Sequence, residues 1–198
     1  MKILSVFGTV AATAVLGMAM STSASAAAVV FKNPVGWAGT GCKANSVSVT
    51  GANSASLTIA FDAYEAGKDA VPKQRRVACN FAVPIQVPRG FQVSRLTTDW
   101  EIYAEGKGEF SRKYFLTGQP TRNWKRKQLN GGKNGKNFVE RDALYHGSFA
   151  TACHASNRVY NLRISSQIKP NNKRKDYIAV DAADLRNTVK FLIRFRKC

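Results

Sequence analysis

Val159 to Ile168 reads VYNLRISSQI, and this stretch sets the fold class. Leu162, Ile164 and Ser166 fall on one side of it, and a period of two is the signature of a strand with one face toward a core. The same pattern recurs on both sides. Upstream, Ser46-Val47-Ser48-Val49, LTIAFDA at Leu57 to Ala63 and FAVPIQV at Phe81 to Val87 are alternating or β-rich and are closed by turn residues. FQVSRLTTDWEIYA at Phe91 to Ala104 holds two further alternating segments, and Tyr114-Phe115-Leu116 is a shorter one. Downstream, Tyr177 to Val180 and VKFLIRF at Val189 to Phe195 read as a closing pair, with one helical turn over Ala182 to Asn187 between them. Pro72, Pro84, Pro88-Arg89-Gly90, Gly118-Gln119-Pro120, Gly131-Gly132 and Pro170-Asn171-Asn172 stand where strands stop or kink, and Pro84 implies an edge position or a bulge. Roughly eight to ten short strands at this spacing, with no long amphipathic helix, predict an all-β, antiparallel sandwich of jelly-roll or Greek-key kind rather than a βαβ sheet.

The 198 residues include 30 Lys and Arg against 12 Asp and Glu, a formal charge of +18, and 44% hydrophobic residues. That apolar fraction is enough for one sizeable core and excludes a disordered acidic tail. Residues 1–26 read as a secretory signal peptide. Lys2 is the positive start, Ile3 to Met20 is apolar apart from small polar residues, and Ala24-Ser25-Ala26 is the A-x-A cleavage pattern. Residues 27–198 are then a single exported domain without a further run long enough to span a bilayer. Cys42, Cys79, Cys153 and Cys198 all lie in it. An even count behind a signal peptide implies two disulfides, whereas a zinc site would call for close pairs such as C-x-x-C. Of the three possible connectivities, Cys42 with Cys198 and Cys79 with Cys153 follows from the tendency of domain termini to lie close together.

The strand motifs resemble a family of small secreted bacterial and fungal proteins, domain of unknown function family 4360 (DUF4360). The resemblance rests on Gly41-Cys42 followed by SVSV, TIAFDAY at Thr58 to Tyr64, the strand led by Cys79 that runs into VPRGF at Val87 to Phe91, and Thr98-Asp99-Trp100. It continues through YFLTG at Tyr114 to Gly118, TAC at Thr151 to Cys153, NLRISSQI, and RFRKC at the end. It implies a secreted, disulfide-bonded β protein and implies no activity. Where the family has a TGP-type turn and acidic residues before its third cysteine, this chain has Trp124-Lys125-Arg126-Lys127 and a Gly/Asn/Lys segment.

Chemistry-bearing patterns are sparse. His146 and His154 flank Cys153 and could form an acid/base pair of the kind a nuclease uses, but no spacing puts them on one face, so two loop histidines is the favoured account. Asp99, Glu101 and Glu105 would share one face of a strand with Glu109 nearby; paired carboxylates can cleave glycosidic bonds, yet in so basic a chain they read first as partners for lysines. No nucleophile, zinc-protease, P-loop or dinucleotide motif occurs. No cofactor or metal is expected.

Positive charge is the strongest signal. Lys107 to Arg141 holds ten basic residues against Glu109 and Glu140, Lys169 to Lys175 adds four and Arg186 to Lys197 adds five. Arg122 to Arg141, RNWKRKQLNGGKNGKNFVER, reads as a long exposed loop or hairpin tip. Cations interleaved with an aromatic ring suit a polyanion, through counterion release and stacking or cation–π contact. The expected function is therefore a secreted, non-enzymatic binding protein acting at an anionic polymer or cell-surface component: phosphate polymer, acidic polysaccharide, nucleic acid or lipid headgroups. Its expected binding residues are Trp124, Lys125, Arg126, Lys127, Lys133, Lys136 and Arg141. A secreted hydrolase, and an inhibitor or toxin-like protein entering an extracellular partner's cleft with the basic loop, are the alternatives.

Overall fold

The computed structural model describes residues 29–117, 119, 123–145, 151–180 and 188–198. The signal-peptide reading of residues 1–26 and the helical turn expected at 182–187 lie outside them. Among the described residues eleven strands follow in chain order: β1 (Val30–Phe31), β2 (Val35–Ala38), β3 (Val47–Thr50), β4 (Ser56–Phe61), β5 (Glu65–Gly67), β6 (Val77–Val87), β7 (Phe91–Leu116), β8 (Lys125–Tyr145), β9 (Arg158–Pro170), β10 (Tyr177–Ala179) and β11 (Thr188–Lys197). A 3-10 turn at Ala44–Ser46 is the only helical element among the described residues.

All pairings are antiparallel, and the sheet runs β1-β6-β9-β7-β11-β4-β3, with β8 on β7, β2 on β6, and β10 between β5 and β7. Only β3–β4 and β7–β8 join neighbours in sequence, so the connections cross over in the Greek-key manner. The sheet curls until its two ends face each other as a sandwich. Phe31 on β1 meets Phe191 on β11 edge-on at 6.1 Å, and Trp37 on β2 stacks on Phe81 while touching Phe61 of β4. Two backbone hydrogen bonds close the seam, Phe31 N–H to Ser54 O and Asn53 N–H to Phe31 O. Aromatic pairs of this kind add about 0.5–1.5 kcal/mol each beyond the area they bury.

β7 belongs to both layers. Its first half pairs with β11 and its second with β9, with register shifts at Ala104, Gly106 and Lys107 between them. The bend folds the strand's inner face onto itself, so that Trp100 meets Phe110 at 5.1 Å and both Trp100 Nε1 and Thr98 Oγ1 donate to the Tyr114 hydroxyl.

β8 follows that bend along the open edge and is paired with β7 from Arg112↔Lys125 to Arg95↔Tyr145. The segment expected as an exposed loop or hairpin tip is therefore mostly a 21-residue strand. Its glycines mark a close approach rather than a turn. A Cβ at Gly131 would overlap the Ala104 carbonyl, and one at Gly135, where φ is +72°, would overlap the Tyr103 hydroxyl.

Three further expectations change. The bridges are Cys42–Cys79 and Cys153–Cys198, not Cys42–Cys198 and Cys79–Cys153. Strand neighbours decide the pairing, not the chain ends. The β2–β6 ladder, extended by Gly41 N–H to Ala78 O, sets Cys42 beside Cys79. Cys198 N–H donates to Gly90 O and Gly90 N–H to His154 O, which sets Cys198 beside Cys153. β10 and β11 do not pair with each other; each joins β7 separately. Pro84 sits inside β6, where the outer neighbour changes from β1 to β2 and a ladder donor is dispensable.

Candidate binding surface

Alternation gives the β7–β8 hairpin two unlike faces. On the inner face, Arg112 lies buried with Nε 2.8 Å from Asp142 Oδ2 and one terminal nitrogen 3.2 Å from Glu140 Oε2. Tyr114 donates to Asp142 Oδ2 at 2.7 Å, Lys125 reaches Asp142 Oδ1 at 3.1 Å, and Lys127 reaches Glu140 Oε1 at 3.0 Å. Burial pushes the Asp142 carboxyl upward. Hydrogen bonds from Arg112, Tyr114 and Lys125, with the charge of Arg112, outweigh it and hold the group below its ordinary value. Burial likewise raises the Tyr114 phenol well above its usual range, with Asp142 adding to the effect.

The outer face carries a trough. The register sets Ser56, Leu192, Thr97 and Ala143 in one row across β4, β11, β7 and β8. The rows on either side carry longer side chains: Lys190, Asp99 and Arg141 on one bank, Arg194 and Arg95 on the other. Same-face rows are about 7 Å apart, so the banks stand about 14 Å apart over a floor of small or apolar residues. The groove holds about 570 Å³. Arg141 grips Asp99 through two hydrogen bonds of 2.8 and 2.7 Å, and Lys190 meets Glu101 at 3.2 Å. Arg141 and Lys190 are thus each engaged by a carboxylate, while Arg194 stands exposed on the opposite bank. Both ion pairs are exposed on their cationic side, where such pairs are worth about 0–1 kcal/mol and exchange readily for another anion.

The seven residues expected to bind are divided among different settings. Arg141 lines the trough. Lys125 and Lys127 turn to inner carboxylates with their side chains still 45% exposed. Arg126 projects from the opposite face of β8 and is exposed, as is Lys133. Lys136 lies 5.6 Å over the Phe138 ring, and half-buried Trp124 has the Lys113 ammonium 4.9 Å over its own. Arg95, Lys190 and Arg194, which line the trough with Arg141, are not among the seven. The signal was there in β11, TVKFLIRFRK, whose alternate residues Lys190, Leu192, Arg194 and Arg196 all point away from Val189, Phe191 and Ile193.

The acidic cluster is consumed by partners. Asp99 and Glu101 pair as above, Glu105 binds Lys68 at 2.5 Å, and Glu109 accepts from Ser111 and Gln128. His154 lies beside Tyr160 with ring centroids 6.3 Å apart; His146 is outside the described residues. Among the described residues no group of three or more His, Cys, Asp or Glu could hold a metal ion.

Fold and surface together define a disulfide-stapled antiparallel β-sandwich. The family model for DUF4360, a domain of unknown function, matches residues 32–198, and the chain belongs to that family. Among solved structures, TmCBM61 in complex with β-1,4-galactotriose is similar at 12% identity and a TM-score of 0.32, over 82% of this chain and 88% of that one. A comparison with curated proteins found no match. No helix among the described residues is long and apolar enough to cross a membrane. The two bridges are compatible with an extracellular protein.

Proposed function

We propose that this is a secreted, non-enzymatic binding protein that holds a linear anionic polymer in the trough across β4, β11, β7 and β8. The carrying observation is the arrangement of the rows: a low floor of Ser56, Leu192, Thr97 and Ala143 between banks that bear Lys190 and Arg141 on one side and Arg194 and Arg95 on the other. A chain lying across the strands would rest on the floor and present anionic groups to both banks. Lys136, which alternation sets with Phe138 rather than with Arg141, and Lys133, Arg126 and Trp124 beyond the bend lie outside the trough. Lys125 and Lys127, engaged with carboxylates, add less.

The test is a set of titrations at several salt concentrations with polygalacturonate, polyphosphate and a DNA oligonucleotide. Wild type should bind at least one of them with a steep salt dependence. Arg95→Gln/Arg194→Gln should weaken that binding and reduce the slope of log affinity against log salt by about 1.4–1.8, since each lost contact releases nearly one counterion fewer. Unchanged affinity and slope would remove the trough from the site.

A further inference from the structure

A separate cluster of cations lies at the bend of β7, around the turn between β9 and β10. Its pocket, about 400 Å³, is lined by Arg75, Asn171, Asn172, Lys173 and Arg174. The ladder register explains the assembly. Val77 stands opposite Ile168, and two residues further out Arg75 comes level with Pro170 at the head of the turn.

The turn is fixed by its own hydrogen bonds. Asn172 N–H donates to Asp176 Oδ2 at 2.7 Å, Asn172 Oδ1 accepts from Arg174 N–H, and the Asn172 carbonyl accepts from Lys175 and Asp176 N–H. Lys107 N–H donates to Asp176 Oδ1 at 3.1 Å, and Asn171 N–H donates to Lys107 O. Two consequences follow. Asp176, the carboxylate nearest in sequence, spends both oxygens on backbone donors, and Arg75, Lys173 and Arg174 have no ion pair among the described residues. Asn172, having committed its side-chain oxygen to Arg174, is left with its Nδ2 donors.

We infer that this pocket binds a phosphomonoester. Two guanidinium groups and an ammonium match the nearly two negative charges of that group at neutral pH better than the single charge of a carboxylate. Guanidinium forks pair two oxygens at a time, and carboxamide donors suit the third. The pocket shares no residue with the trough, so either proposal stands without the other.

Glucose 6-phosphate, glucuronate and glucose, titrated at fixed ionic strength by calorimetry and by the side-chain amide signals of Asn171 and Asn172, test the site. Glucose 6-phosphate should bind saturably, roughly tenfold or more tighter than glucuronate, and glucose not at all. Arg75→Gln/Arg174→Gln should lose about tenfold or more of that affinity, and Arg95→Gln/Arg194→Gln should keep all of it. Lys173→Gln alone, which touches no backbone contact, should give a smaller loss in the same direction. Equal binding of phosphate and carboxylate sugars, the same loss in the trough variant, or no saturable shift of the two asparagines would overturn the inference.

Discussion

The two faces of the β7–β8 hairpin are built from the same strands, yet they treat charge in opposite ways. Inside, Arg112, Lys125 and Lys127 are matched by Asp142 and Glu140, and the Tyr114 hydroxyl completes the group. Outside, one residue along each strand, cations outnumber carboxylates over an open trough. That contrast separates structural charge from available charge in a strongly basic chain. Cations that answer a buried carboxylate are structural, and an edge strand rich in lysine also discourages another chain from adding to it. The charge left for a partner is what stands exposed on the outer rows, Arg194 above all.

The largest effect expected is on the inner face. Arg112→Ala leaves the Asp142 carboxylate buried with less than its full set of donors and should cost about 3–5 kcal/mol in urea denaturation. A cost below about 1 kcal/mol would erase the contrast between the faces. The same group sets an acid limb. Because the folded carboxyl titrates below its unfolded value, near 3.9, its contribution is complete above that pH and is lost as pH falls through the folded value. Wild-type stability should therefore decline below about pH 4, and Asp142→Asn, though less stable at neutral pH, should show a shallower decline. Parallel acid limbs in the two proteins would assign the limb to other carboxylates.

Much of this was legible in the sequence. Period-two alternation locates β4, β6, β9 and β11, the first half of β7 and, as Tyr114-Phe115-Leu116, its end, because a half-buried strand must alternate. β8 was not legible. Gly131, Gly132 and Gly135 among lysines and asparagines satisfy every rule for a loop, and only their contacts with Ala104 and Tyr103 show that the glycines let one strand follow another round a bend. The trough was half legible for a related reason. The outer row of β11 reads directly, but its junction with Arg95 and Arg141 depends on which strands lie side by side, and the order β8-β7-β11-β4 is written in no local pattern. The cysteine pairing failed on the same point.

The disulfides repeat the inner and outer contrast with a smaller expected effect. Cys42 and Cys79 are wholly buried, whereas Cys153 and Cys198 are exposed beside the first residues of β7. Each bridge closes a loop of tens of residues, 37 and 45 positions, and its removal should cost about 2–4 kcal/mol. Access differs more than energy does, because exchange needs a thiolate to reach the sulfur. Graded dithiothreitol under native conditions, followed by alkylation and peptide mass spectrometry, should label Cys153 and Cys198 well before Cys42 and Cys79. The reverse order would mean that the β2–β6 end of the sandwich opens more readily than the carboxyl end of β11.

The smallest expected change in stability is also the sharpest separation of the two faces. Arg194 is exposed on the outer row, so Arg194→Gln should alter folding by no more than about 0.5 kcal/mol. If the trough binds polyanions, the same substitution should lower the salt slope of binding by about 0.7–0.9. Lys125→Gln/Lys127→Gln should show the opposite profile. Each substitution removes a donor from a carboxylate that is only 3% or 16% exposed, so the pair should destabilise by about 1–3 kcal/mol in total, while the polymer slope moves less than it does for Arg194→Gln. Denaturation and salt titration on the same three proteins therefore give two rankings that should run in opposite order. If Lys125 and Lys127 instead change the slope more than Arg194 does and leave stability untouched, their ammonium groups serve the partner rather than Asp142 and Glu140, and the binding surface is the edge of β8 rather than the trough.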